Sequence, residues 1–186
     1  MRCLYTGLMG LLVVVWFGHT DRLAAEDMPT RSAELQVLDH YVGQWSGKMQ
    51  VPPTQENPKG LVVEGTVQAR WMVDDQWVLQ EVDFQPAGGY RGMSVCTMMT
   101  YDEKTQKYQF WTFQQDGAVN RATAQWAAAK KTMTAVLEGA PNGPVVTVVA
   151  DFSQEGTEKW TMTIRDPEGK VVGKIEGVNT KRQPQP

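Results

Sequence analysis

Glu81 and Asp83 are the carboxylates whose setting could do chemistry, because they alternate onto one face of a run with Trp77 and Leu79. If that face points inward, Glu81 is a buried acid. A buried charge must be paired or hydrogen-bonded, and Arg91 and Arg121 are the available cations. Burial would raise its pKa and suit it to general acid/base work in an accessible cavity. If the face points to water, both carboxylates are ordinary solvated groups. Asp74-Asp75 reads as a turn, where Asp is common for backbone reasons.

The other reactive side chains are few. His40 is the only histidine beyond residue 19, so neither a multi-histidine metal site nor a nucleophile–histidine arrangement can form without it. It stands at the end of a candidate helix, where a cationic imidazole would favour the dipole. Cys96 lies in Met93-Ser94-Val95-Cys96-Thr97-Met98-Met99 with no histidine nearby, the setting of a buried, inert thiol. The sequence contains no phosphate loop and no dinucleotide-binding glycine pattern, so no cofactor is expected.

The 186 residues are 41% hydrophobic and 21% charged, enough for one domain with a full core. A net charge of -3 argues against nucleic acid as a partner. Residues 1–25 read as an export signal: Arg2 precedes an uncharged stretch from Leu4 to Phe17, too short for a membrane span, and Leu23-Ala24-Ala25 offers a cleavage site. Its removal takes away Arg2, Arg22 and Asp21, leaving 16 basic against 20 acidic residues and a net of -4. The expected mature protein is exported, periplasmic or extracellular, and has no transmembrane segment. Only Cys96 remains in it, so no internal disulfide can form.

A linker and capping helix occupy residues 26–43. Leu35, Leu38 and Val42 fall at helical spacing, with Ser32 or Thr30 as N-cap and Gly43 as the stop. The periodicity then switches to two. Strands are predicted over 44–51, 61–73, 76–85, 90–101, 107–114, 120–129, 131–138, 144–153, 158–165 and 170–180, separated by Asp- and Gly-rich turns. Short links and no intervening helices exclude a parallel α/β sheet. An open sheet of ten strands would leave costly edges. The prediction is therefore an all-β, antiparallel up-and-down barrel over residues 44–180, the helix across one mouth and a loose tail at 181–186.

Two segments carry a resemblance. His40-Tyr41-Val42-Gly43-Gln44-Trp45-Ser46-Gly47 resembles the Gly-x-Trp opening of lipocalin-like barrels. Gly89-Tyr90-Arg91-Gly92, followed by Met99-Thr100-Tyr101-Asp102 and Lys107-Tyr108-Gln109-Phe110-Trp111, is similar to the core pattern of an uncharacterised family of exported bacterial proteins, domain of unknown function 1579. The resemblance covers roughly residues 35–180 and implies a lipocalin-like barrel without an assigned activity. Related haem-binding barrels take their iron ligand from a late strand, but no histidine follows residue 40 here, so a haem role is not carried over. Read directly, Trp45 should plug the barrel floor, Asp102 should hydrogen-bond its own turn, and Tyr101 and Tyr108 should pack across strands.

Six Trp and eight Met beyond residue 25 could fill the interior or line an aromatic pocket. The reading favours binding of a small apolar or amphipathic molecule. Trp71, Met93, Trp111, Phe113 and Trp126 are the expected pocket wall, and Glu81 and Arg91 the polar anchors. The competing readings are a hydrolase or isomerase using Glu81 and a filled-barrel interaction module.

Overall fold

The computed structural model describes residues 31–53 and 58–183. The expected signal segment at 1–25, the linker through Thr30 and the tail residues 184–186 lie outside the described residues. Ser32 is the helix cap: its hydroxyl accepts the Leu35 N–H at 3.2 Å. The helix α1, Ala33–Gln36, tightens into a 3-10 turn over Val37–His40. Gly43, at φ 133°, then swings the chain into the first strand, a conformation that side-chain-bearing residues avoid.

Ten strands follow: β1 Gly43–Val51, β2 Leu61–Met72, β3 Trp77–Phe84, β4 Met93–Asp102, β5 Lys107–Gln114, β6 Val119–Ala127, β7 Thr132–Leu137, β8 Val145–Asp151, β9 Thr157–Arg165 and β10 Val171–Lys181. Each pairs antiparallel with its chain neighbours, and β1 pairs with β10, so the sheet closes into the expected barrel. The predicted strand at 90–101 starts later, at Met93. Tyr90 is held in a bridge to Ala87, and Gly92 at φ 85° breaks the extended path. Asp102 accepts hydrogen bonds from the Lys104 N–H (3.0 Å) and the Thr105 hydroxyl (2.9 Å), as its turn position predicts. The β2–β3 turn passes through three successive left-handed residues, Val73, Asp74 and Asp75. Asp tolerates that region; the β-branched Val73 is strained there.

The helix closes the end of the barrel formed by the β2–β3, β4–β5, β6–β7 and β8–β9 turns. Leu38 is fully buried and Leu35 nearly so, packed with Val78, Met99, Tyr108 and Met133. Burying such side chains contributes roughly 1.5–3 kcal/mol each. Trp45 is buried at the floor, and its indole N–H donates to the Tyr41 carbonyl at 2.9 Å. Tyr101 and Tyr108 stand opposite each other in register with ring centroids 5.0 Å apart.

The Tyr108 hydroxyl reaches the helix and donates to the Glu34 carbonyl at 2.9 Å. Burial holds its pKa up at about 12, so it remains a donor across the working pH range. Tyr108→Phe should therefore cost about 1 kcal/mol. Faster amide exchange confined to residues 33–40 would register the loss; unchanged exchange there would show that packing alone holds the helix.

Candidate functional site

Alternation fixes what faces the lumen. In β3 it is Val78, Gln80, Val82 and Phe84 that point inward, while Trp77, Leu79, Glu81 and Asp83 point out. Three glycines on the inner wall make room for rings. A side chain at Gly65 would collide with the Asp83 carbonyl and the Phe84 ring, one at Gly47 would press on Phe84, and one at Gly177 would meet the indole of Trp160. Phe84 and Trp160 thus lie flat over glycine, leaving the middle of the barrel open.

The space enclosed is a cavity of about 510 Å³, within the range typical of small-molecule sites. Met49, Val82, Leu137, Trp160, Met162 and Ile175 supply much of its apolar lining, reaching from Tyr41 at the helix end to Pro52 and Tyr90 at the other. Polar groups are few and ordered. Gln80, Thr97, Thr112 and Asn120 are register partners on four adjacent strands and form one polar row up the wall. The Thr97 and Thr112 hydroxyls are 3.0 Å apart.

Deeper lies a buried acid. Glu158, 6% exposed, opposes Asn179, 4% exposed, in the β9–β10 ladder. The Asn179 amide donates to the Glu158 carboxylate at 2.7 Å. Burial pushes Glu158 up to about 7, against the smaller lowering effect of this hydrogen bond. Tyr41, below it, is raised well above the ordinary phenol range by burial and by the Glu158 charge. The Asn179 carbonyl oxygen has no hydrogen-bond partner.

The expected pocket residues are largely elsewhere. Met93 lines the cavity. Glu81 faces solvent and pairs with Arg70 at 2.7 Å, so the carboxylate buried in the lumen is a different one. Arg91 is exposed in the β3–β4 loop. Trp111 and Phe113 are on the outer face, where Trp111 packs against Trp77 with centroids 5.3 Å apart. The physical reason is that β5 carries aromatic residues on both faces, and Tyr108 and Phe110 take the inner one.

Trp71 and Trp126 point inward but at the capped end, where they hold the helix rather than line the cavity. The Trp71 indole N–H donates to Asp39 at 2.8 Å beneath the Arg31 guanidinium, and Trp126 stacks on His40 at 5.1 Å. His40 lies between Trp126 and Phe152. Burial, followed by the Lys131 charge, lowers its pKa, so it packs as a neutral ring instead of the cation expected at a helix end. Cys96 shares the outer face with Glu81; partial burial and that carboxylate push its thiol pKa up, which keeps the thiolate scarce. Among the described residues no three His, Cys, Asp or Glu side chains converge as a metal site, and no helix is long and apolar enough to cross a membrane.

Glu158 carried a sequence signal. It shares the parity of Trp160, Met162 and Ile164 in the run from 158 to 165, one step before the first of them.

Fold and cavity together define a closed, ten-stranded, up-and-down β-barrel with a hollow interior capped by a short helix. The chain belongs to the family described as protein of unknown function (DUF1579), whose pattern matches residues 30–177. No curated protein matches it. Among solved structures it is similar to Rv2717c from M. tuberculosis, at 9% identity and a TM-score of 0.60, covering 83% of this chain and all of the other. A protein of unknown function from the DUF3598 family of Nostoc punctiforme aligns over 82% of this chain and all of its own, at 6% identity and a TM-score of 0.26. The first of these likenesses is one of fold.

Proposed function

We propose that this protein binds a small apolar or amphipathic molecule inside the barrel, as an exported carrier or sensor whose signal is residues 1–25. The single observation that carries this reading is the 510 Å³ cavity, apolar on most of its wall and furnished with a few ordered polar groups. At about 30 Å³ per water-sized group, that space suits a molecule of roughly 15 non-hydrogen atoms. The contact set keeps Met93 from the residues expected by sequence and adds Trp160, Phe84, Met162 and Ile175. A second reading, acid–base catalysis, draws support from Glu158 in place of Glu81, since a carboxyl near neutrality in a cavity suits proton transfer.

Titration with the neutral dye N-phenyl-1-naphthylamine tests the binding reading. Saturable one-to-one binding with energy transfer from Trp160 is the expected result. Val148→Trp, which projects an indole into the cavity, should abolish it. Absence of saturable binding, or binding indifferent to Val148→Trp in a folded protein, would count against an internal site.

A further inference from the structure

The cavity is asymmetric along its axis. Among the described residues that line it no cation points inward: Arg121, at the mouth end, stands opposite Trp111 on the outer face. At the helix end, Glu158 and Asn179 share the lining with Tyr41, Met99, Phe110, Met133 and Ala150. Three groups with hydrogen-bonding capacity therefore meet at the deep end, and two of them present acceptors. The Glu158 carboxylate receives the Asn179 amide. The Asn179 carbonyl oxygen receives nothing: it lies 2.8 Å from where a Gly47 side chain would begin, so the facing strand offers no donor, and the Phe84 ring closes over the same glycine. A buried acceptor left unmatched is costly, and this one sits beside a carboxylate at the bottom of a largely apolar space.

Resting on the internal-binding reading above, we propose that the deep end selects amphiphiles whose head group donates hydrogen bonds, a primary amine or an alcohol, and discriminates against carboxylates. The head docks on Glu158, with the Asn179 carbonyl as second acceptor once the amide turns toward it, and the chain lies along Met49, Val82, Met162 and Ile175 toward the mouth. An ammonium gains a charge-assisted hydrogen bond in a low-dielectric site. A carboxylate in the same place would set a second negative charge against the ionised Glu158, with no inward-facing cation among the described lining residues to offset it.

Competition against bound N-phenyl-1-naphthylamine at pH 8, above the value of about 7 at which Glu158 ionises, with decylamine, decan-1-ol and decanoate, all below micelle formation, is the test. Decylamine and decan-1-ol should displace the dye at concentrations about 10-fold or more below decanoate, the scale of one hydrogen bond to a charged group. Glu158→Gln should collapse the amine's advantage over decanoate by about the same factor. Glu158→Met provides a second variant that offers the head neither charge nor carbonyl. Decanoate binding as tightly as the amine and alcohol, or a ranking unmoved in both variants, would overturn the head-group selectivity while the cavity reading stands. Failure of the dye itself to bind would remove both.

Discussion

Replacing Phe84 with alanine is expected to cost the barrel about 3–5 kcal/mol. The ring is 2% exposed and packs with Met49 and Val63, lying over Gly65 of the adjacent β2 and Gly47 of β1 beyond it. Truncation removes the transfer free energy of the ring and leaves a void that cannot refill, because Gly47 and Gly65 have no side chains to move into it. The void joins the existing cavity, so the variant should also accept bulkier neutral dyes than the wild type. Denaturant unfolding with an unchanged slope measures the first effect and a dye series the second. A loss under about 1 kcal/mol would mean that the wall relaxes inward after all.

The second large effect is a pH dependence centred on Glu158. Its carboxyl titrates near 4.5 in the unfolded chain and about 7 in the barrel. Between those values the folded state holds a proton that the unfolded state has given up, so stability is fully present below pH 4.5 and falls as pH rises through 7. At 1.36 kcal/mol per pKa unit the loss amounts to about 3 kcal/mol. His40 works against it: its pKa is lowered on folding, so its contribution is present above 6.5 and is lost as pH falls. Asp102 and Asp151, both lowered by hydrogen bonds in their own turns, act only in stronger acid, below 3.8. Denaturation midpoints from pH 4.5 to 8 should decline in the wild type and lose that decline in Glu158→Gln. His40→Asn should steepen it. A Glu158→Gln profile parallel to the wild type would place the proton elsewhere.

The strands were legible because turn chemistry and two-residue rhythm agree along the chain. Lys107–Gln114 is found at its predicted bounds, the ends at Val51, Leu61 and Arg165 also coincide, and the remaining ends differ by one to three residues. The candidate site was legible in kind but not in address. A period of two sorts residues into two faces without saying which is inside. Aromatic content misled the choice at β3 and β5, since Trp77 and Trp111 cover each other on the outer wall. Trp71 and Trp126 face inward but stand at the stoppered end, a distinction that depends on where the helix docks. Asn179 could not be matched with Glu158 from sequence. Their pairing follows from the β9–β10 register, which a bulge between Val171 and Gly173 shifts by one residue.

The pairing of β1 with β10, from Trp45 opposite Lys181 to Gln50 opposite Glu176, makes the first and last strands of the domain immediate neighbours. A chain leaving the ribosome therefore carries one naked edge on Gly43–Val51 until the residues near 181 have emerged. Nine strands can stack in order, yet none of those arrangements hides both rims. The cylinder locks only with its final stave, and truncation within Val171–Lys181 would uncover two adhesive borders at once.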